Sequence, residues 1–317
     1  MSGERPRILV PGPIRERVIE RLNGHFDVVL IDTADAGKID DATAATIRGV
    51  AVSGRLDAAM IARLPALEVI ASFGVGYDGI DVTAAAARGI VVSNTPDVLN
   101  DEVADTTVGL LLNTLRELPR AETWLRDGRW AKEGPYRLTP LTLRGRHVGI
   151  YGLGRIGLAI ARRLEGFGVT ISYHTRSRRT DVPYEHYGSL LALAQAADTL
   201  IAIVPKTADT HKTINAEVLA ALGPTGVLIN VGRGWTVDEE DLEAALRNGT
   251  IAAAGLDVFQ DEPHVPGGLL DLPNACLLPH VASASVATRD AMADLVADNL
   301  VAWFDTGRAL TSVPETA

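Results

Sequence analysis

The sequence predicts an α/β chain built on two doubly wound parallel sheets, and three observations predict it. Short runs rich in Val and Ile alternate with Ala-rich stretches of helical spacing, first from Arg7 to Ser93 and again from His147 onward. The connections are short, so each strand–helix–strand step reads as a crossover covering one face of a parallel sheet. The length of 317 residues fits about two domains at roughly 150 residues each, both large enough to bury a core.

In the first half the expected strands are Arg7–Val10, Phe26–Ile31, Val50–Val52, Val69–Phe73 and Ile90–Ser93. Between them lie helical patterns at Ile14–Leu22, Asp57–Leu64 and Thr83–Arg88, the last stopped by Gly89 as a residue that tolerates the left-handed conformation. Asp101–Leu118 then reads as one long helix, with Val108, Leu111, Leu112 and Leu115 on one face and Pro119 ending or kinking it. The second series has expected strands at His147–Tyr151, Val169–His174, Leu200–Val204, Val227–Val231, Ala252–Val258 and Cys276–Leu278. Their helices are Ile156–Glu165, Leu190–Ala196, Ala216–Leu222 and Asp238–Asn248. Six strands with crossovers fit a sheet of the dinucleotide-binding type. A final amphipathic helix, Val286–Phe304, has no sheet of its own and must pack on one already built.

Composition narrows the function. There are 30 Lys and Arg against 40 Asp and Glu, a net charge of −10. That argues against a nucleic-acid-coating surface, which needs a basic stripe, and against attraction to anionic membranes. One Cys permits no internal disulfide, the opening residues carry no apolar leader, and no run approaches the ~18 apolar residues of a membrane span. The expectation is a cytoplasmic protein. Cys276 sits in an apolar strand pattern and reads as a buried small hydrophobe. No His, Cys and carboxylate spacing suggests a metal site.

The strand His147–Tyr151 runs into Gly152-Leu153-Gly154-Arg155-Ile156-Gly157 and then into a helix. A glycine pattern alone is weak, but a strand before it and a helix after it supply the confirming context. The glycines allow a tight turn, close backbone approach to a pyrophosphate, and close helix–strand packing; free N–H groups at the helix start then hold the anion. At the end of the next strand an NAD site presents an acid for the ribose 2′-hydroxyl. Here the chain reads His174-Thr175-Arg176-Ser177-Arg178-Arg179. Guanidinium and hydroxyl groups suit a 2′-phosphate, so NADP(H) is expected in preference to NAD(H).

Three other strand ends carry polar groups: Arg233 between Gly232 and Gly234, Glu262 before Pro263, and His280 after Pro279. In open α/β sheets ligands bind beyond the carboxyl ends of the strands. Arg can grip a carboxylate bidentately, His can move a proton near neutral pH, and Glu can orient the imidazole. Each alone is a weak signal; their shared placement makes the joint reading. His25, His147, His186, His211 and His264 lack this context and are read as ordinary structural or surface residues.

These motifs resemble the D-isomer-specific 2-hydroxyacid dehydrogenase family, most of all its NADPH-dependent glyoxylate/hydroxypyruvate reductase branch. The resemblance spans nearly the whole chain and rests on Ser72–Asp78, Gly152–Gly157, Val231–Gly234, Gly255–Phe259 through Glu262-Pro263, and Leu278–Ser283. It implies a discontinuous flavodoxin-like substrate domain (1–98 and 289–317), a Rossmann NAD(P)-binding domain (99–288), and an active-site cleft between them. It implies reduction of glyoxylate or hydroxypyruvate to glycolate or D-glycerate, with His280 as general acid, Glu262 as its partner, and Arg233 on the substrate carboxylate. Val75 and Gly76 are implied to bind that carboxylate through backbone N–H groups.

By the same resemblance the cofactor touches Gly152, Leu153, Gly154, Arg155, Ile156, Gly157, His174, Thr175, Arg176, Ser177 and Arg178. It also touches Val204, Pro205, Thr210, Val231, Gly232, Arg233, His280 and Ala282, with Asp257 facing the nicotinamide and Ser283 near its amide. The sequence departs from the family at Asp105, Lys206, Ala282 and Ser285, none of which removes a catalytic group. Trp235 is bulky where the family is often small or polar; it is expected to cover the following helix, the alternative being that it narrows the pocket. The Trp130–Tyr136 segment resembles the stretch that reaches a neighbouring subunit, which implies a homodimer contacting through residues 100–140. Reduction of bulkier, phenylpyruvate-type keto acids is the alternative reading. A nucleotide-sensing corepressor is disfavoured by the absence of long disordered tails. Phosphoglycerate, formate or phosphite dehydrogenases are disfavoured by the Arg-rich loop.

Overall fold

The structure, a computed structural model, describes residues 5–317. The chain divides into two compact units: one runs up to Leu99 and resumes at Ala284, and the other is Asn100–Ser283.

The first unit holds strands β1 (Arg7–Pro11), β2 (Asp27–Ile31), β3 (Ile47–Val52), β4 (Val69–Ser72) and β5 (Val91–Ser93). They pair in the order β2-β1-β3-β4-β5, every pairing parallel, which is the flavodoxin-like order. Alternate residues of a strand face opposite sides, and the packing follows this rule. Leu9, Val50, Ile70 and Val92 pack on one face with Met60, Ile61 and Leu64. Ile8, Val10, Ala51, Val69 and Ala71 pack on the other with Ala293, Val296, Ala297 and Leu300. Those last residues belong to the C-terminal helix Val286–Thr306, so the helix without a sheet completes this one. Its acidic side is pinned by the first helix, Glu16–Asn23. Arg15 pairs with Asp290, Arg17 and Arg21 with Asp294, and Arg21 also with Asp298. Arg17's hydrogen bond, reinforced by Arg21 and only partly opposed by burial, holds the Asp294 carboxyl below its ordinary value. The short helix Asp41–Ala44 and the single turn Ala36–Lys38, absent from the sequence reading, are each started by an Asp that caps backbone N–H groups.

The second unit holds β6 (His147–Tyr151), β7 (Thr170–His174), β8 (Glu185–His186), β9 (Thr199–Ala202), β10 (Val227–Asn230), β11 (Ala253–Leu256) and β12 (Ala275–Leu277). Their order, β12-β11-β10-β9-β6-β7-β8, is parallel throughout. Its core reads 3-2-1-4-5-6, the dinucleotide-binding arrangement, with the direction of winding reversing between β6 and β9. Six of these strands were expected. The two-residue β8 was not, because it is too short to show a period.

One expectation is corrected. Asp101–Leu118 is not one helix stopped by Pro119; Asn100–Arg116 ends at Glu117, and a second helix, Leu118–Arg126, follows, then a third, Arg129–Glu133. Glu117 takes a left-handed φ of 51°, and its carboxylate is held by the Tyr136 hydroxyl at 2.6 Å and by Arg137. Pro119 falls in the first turn of the new helix, where a missing N–H removes no bond. The proline is a start signal here.

Leu300 is fully buried against the β1–β4 face. Leu300→Ala should therefore destabilise the unit by about 2–5 kcal/mol, measured by urea unfolding, while a truncation of the exposed Leu310 of the same unit should stay within about 0.5 kcal/mol.

Candidate functional site

The glycine loop leaves β6 at the point where the winding reverses. Gly152 has φ +104°, and a Cβ there would meet the Ile203 carbonyl at 2.7 Å. A Cβ on Gly157 would come within 2.1 Å of the Gly152 carbonyl oxygen, so the helix Arg155–Leu164 can approach β6 only with glycine at that place. Gly154 caps that helix with no side-chain bond, and the space where its Cβ would stand is open. The first-turn N–H groups of Ile156 and Gly157 thus face that open space, with the positive end of the helix dipole behind them.

Next along the edge, β7 delivers His174 and the turn Thr175–Arg179. Arg176, Ser177 and Arg178 are exposed, and among the described residues neither Arg176 nor Arg178 is ion-paired. Arg179 behaves differently: it grips Asp181 with two nitrogens and donates to the Leu153 carbonyl at 2.8 Å. His174 donates through Nδ1 to the Tyr187 carbonyl at 2.8 Å and stacks between Tyr151 and His186. The residues present fit a dinucleotide carrying a 2′-phosphate: a glycine cradle without side chains for the pyrophosphate, and two cations on the neighbouring loop.

Beyond β9, Val204 and Pro205 begin a loop closed by Thr210, whose hydroxyl donates to the Pro205 carbonyl at 2.8 Å and accepts from Thr207 N–H at 2.9 Å. Trp235 packs on this loop. Its Nε1–H donates to the Thr207 carbonyl at 2.8 Å, its ring lies 3.9 Å from that of His211, and the Lys206 ammonium sits 4.7 Å above it.

Val231, Gly232 and Arg233 follow β10. The turn is braced by Asn230, which is fully buried, accepts from Gly232 N–H at 3.1 Å and donates to the Arg233 carbonyl at 3.0 Å. Arg233 donates to the Gly232 carbonyl at 2.8 Å. Gly234 is required, since a Cβ there would overlap the Phe259 carbonyl carbon at 1.9 Å. Asn230 was missed in the sequence; a polar residue closing a Val-Leu-Ile strand was its only signal.

His280 and Glu262 meet directly. His280 Nδ1 lies 2.6 Å from Glu262 Oε2, and Glu262 Oε1 accepts the Phe259 N–H at 3.0 Å. With an ionised carboxylate as acceptor, Nδ1 carries the proton and Nε2 points away from the pair. Burial alone would raise the Glu262 carboxyl, but the His280 bond, the Phe259 N–H and the charges of His280 and Arg233 outweigh it and hold it below the ordinary value. Arg233 and His280 therefore both bear on the Glu262 carboxylate.

His280 has φ +53°, a conformation uncommon for a residue with a side chain. It is held there by Asp257, which is fully buried. The Asp257 carbonyl accepts His280 N–H at 2.8 Å, while its carboxylate accepts Val281 N–H at 2.7 Å and Ala282 N–H at 2.9 Å. Burial, against those two bonds, pushes the Asp257 carboxyl up. Ser283 is the next residue, at the edge of this unit. Cys276, in β12, is partly buried and its thiol is pushed up by burial, which makes a poor nucleophile.

Val75 and Gly76 lie in the first unit, in the loop after β4. That loop is held by Asn94, whose Nδ2 donates to the Val75 carbonyl at 2.8 Å, and by the Thr95 N–H on the Gly74 carbonyl at 2.9 Å. Among the described residues no cluster of His, Cys, Asp and Glu could hold a metal ion, and no helix is long and apolar enough to cross a membrane.

Known proteins share this arrangement. A crystal structure of an NADPH-dependent glyoxylate/hydroxypyruvate reductase from Sinorhizobium meliloti, in complex with NADP and malonate, is 64% identical, with a TM-score of 0.97 over 99% of this chain and 98% of that one. A hydroxyphenylpyruvate reductase of Plectranthus scutellarioides is 49% identical over 81% of this chain and 82% of its own. A glyoxylate/hydroxypyruvate reductase of Arabidopsis thaliana is 48% identical over 82% and 83%. Residues 108–282 match the profile of the D-isomer specific 2-hydroxyacid dehydrogenase NAD binding domain. The chain belongs to the D-isomer-specific 2-hydroxyacid dehydrogenases.

Proposed function

We propose that this protein is an NADPH-dependent reductase of small 2-keto acids, glyoxylate and hydroxypyruvate, to the 2-hydroxy acids. The observation that carries the chemistry is the 2.6 Å bond between His280 and Glu262 beside the Arg233 turn. The 64% identity to the Sinorhizobium enzyme with NADP and malonate supports the cofactor and the dicarboxylate-sized ligand.

When bound, the nicotinamide supplies a hydride to the keto carbon. The second unit (Asn100–Ser283) is the cofactor-binding domain, and the unit holding β1–β5 is the substrate domain. The glycine loop Gly152–Gly157 holds the pyrophosphate by backbone N–H groups, and Thr175, Arg176, Ser177 and Arg178 take the 2′-phosphate. Val204, Pro205, Thr210, Val231 and Gly232 line the sheet edge that the dinucleotide crosses, with His174, Ala282 and Ser283 as further contacts. Arg233 grips the substrate carboxylate and polarises the carbonyl, and the N–H groups of Val75 and Gly76 are the substrate domain's own anion contacts. His280 gives its Nε2 proton to the keto oxygen as the hydride arrives. Glu262 fixes the ring through Nδ1 and stabilises its charged form. Asp257 holds the His280 turn.

A second reading, reduction of bulkier aryl keto acids, is favoured by the relative named for hydroxyphenylpyruvate. A panel of glyoxylate, hydroxypyruvate and hydroxyphenylpyruvate, run with NADPH and NADH, decides between them. NADPH oxidation with the first two, at higher kcat/KM than with the third, is the expected result. Better use of NADH than of NADPH would remove the Arg176 and Arg178 assignment.

His280→Ala should lower kcat by about 10²–10⁴ while NADPH still binds, as followed by nicotinamide fluorescence. The pH dependence has a definite sign. Because the Glu262 carboxyl is held below its ordinary value, the ionised partner survives as pH falls through about 4.3. The acid limb of kcat/KM that Glu262 controls must therefore lie below that pH, and it should vanish in Glu262→Gln together with roughly tenfold of the rate.

The arm Leu118–Glu133 exposes Leu125 at 54% and Trp130 at 60%, and Leu138 beyond it is 94% exposed. So large an apolar display suits a partner surface, and we infer a homodimer formed through residues 100–140. Sedimentation should show a dimer for the native protein and a smaller species for a Leu125→Glu, Trp130→Ala double variant.

A further inference from the structure

The reading above leaves Arg179 and the fully buried phenol of Tyr173 without a role, yet the two are bonded to each other. Tyr173 lies in the middle of β7 with no exposed surface. Its hydroxyl accepts the Arg179 N–H at 2.8 Å and donates to the Arg179 carbonyl at 3.2 Å. A single buried oxygen thus closes the whole turn from His174 to Arg179 onto the strand it left. The start of the turn is fixed from the other side, where His186 of β8 donates through Nε2 to the Thr175 carbonyl at 3.0 Å. Within the turn, the Thr175 hydroxyl donates to the Ser177 carbonyl at 2.6 Å. The Arg179 side chain then carries the turn across to the glycine loop. Its Nη1 reaches the Leu153 carbonyl, and Asp181 holds its other two nitrogens.

We propose that Tyr173 and Arg179 form a latch that pre-shapes the 2′-phosphate loop. Arg179 is a positioning residue, not a phosphate ligand, and the phosphate is met by Arg176 and Arg178. The guanidinium of Arg179 has its charge matched by Asp181 and its fork filled by Asp181 and Leu153. A turn ordered in advance loses less conformational freedom when the ligand arrives. The benefit falls on the cofactor that carries the extra phosphate. NADH, which offers nothing to Arg176 and Arg178, gains little from it. The inference rests on the NADPH reading above.

The test compares direct binding of NADPH, NADH and 2′,5′-ADP, by nicotinamide fluorescence and by calorimetry, in the native enzyme and two variants. Tyr173→Phe keeps the ring and every cation but loses both turn bonds. It should weaken NADPH and 2′,5′-ADP by about five- to tenfold and leave NADH within twofold. Arg179→Lys keeps the charge at an accessible position, so it serves even if the buried substitution impairs folding. An ammonium meets a phosphate as a point charge but cannot reproduce the fork. The latch therefore predicts the same selective loss in Arg179→Lys, and a phosphate-ligand role predicts near-native binding. Unchanged NADPH affinity in the variants, or an equal loss for NADPH and NADH, overturns the latch. A native enzyme with no preference for NADPH overturns the cofactor reading itself, and the latch with it.

Discussion

Asp257 is a carboxylate with no exposed surface, placed at the end of β11 among apolar neighbours, and burial raises its carboxyl. A buried acid is costly unless its oxygens are bonded. Here the bonds come from the N–H groups of Val281 and Ala282, with the Asp257 carbonyl taking that of His280. Three successive N–H groups can converge on one residue only if the chain turns sharply, which is why His280 adopts a positive φ. That turn sets the imidazole against Glu262, and Glu262 in turn is oriented by the Phe259 N–H. Phe259 packs directly against Gly234 of the Arg233 turn. His280, Glu262 and the Arg233 turn are therefore all referred to the end of one strand.

The same logic explains how a chain of net charge −10 can bind anions. Net charge governs solubility and large polyelectrolyte partners; it does not describe a strand edge. Parallel strands release all their carboxyl-end loops at one edge of the sheet, and at that edge four acids already have partners. Asp257 is bonded to backbone, Glu262 to His280 and Phe259, Asp181 to Arg179, and Asp238 to Lys212. The N–H groups of Ile156 and Gly157 and the exposed Arg176 and Arg178 face outward on the same edge. Local commitment of the carboxylates decides the sign of the site.

How far the sequence foretells this depends on what each feature is made of. Strands of a parallel sheet read as short apolar runs, so the five strands of one sheet and six of the other stand out. β8 does not, since Glu185 and His186 are two polar residues that join the sheet through bonds no period announces. The helix break at Glu117 was misread because Pro119 has two opposite meanings, stop and start. Only the left-handed Glu117 and its grip by Tyr136 and Arg137 separate them. The grouping of Arg233, Glu262 and His280 was legible because strand-end position adds information to weak single residues. Asn230 and Tyr173 were not, because each works through backbone groups brought near by folding. Trp235 was legible as unusual but not in its direction, since its partners Thr207 and His211 lie on a different strand's loop.

Arg179 shows most clearly where reading residue types stops. By type it is the third of three arginines beside a phosphate loop, equivalent to Arg176 and Arg178. By geometry it belongs to the framework, because its backbone is bonded to a buried phenol and its fork is filled by Asp181 and Leu153. A cation becomes a ligand only when the fold leaves its charge and its hydrogen bonds unmet. The turn's selectivity then comes from two kinds of arginine. Two are left exposed on the turn, and one is tied down so that their positions are defined.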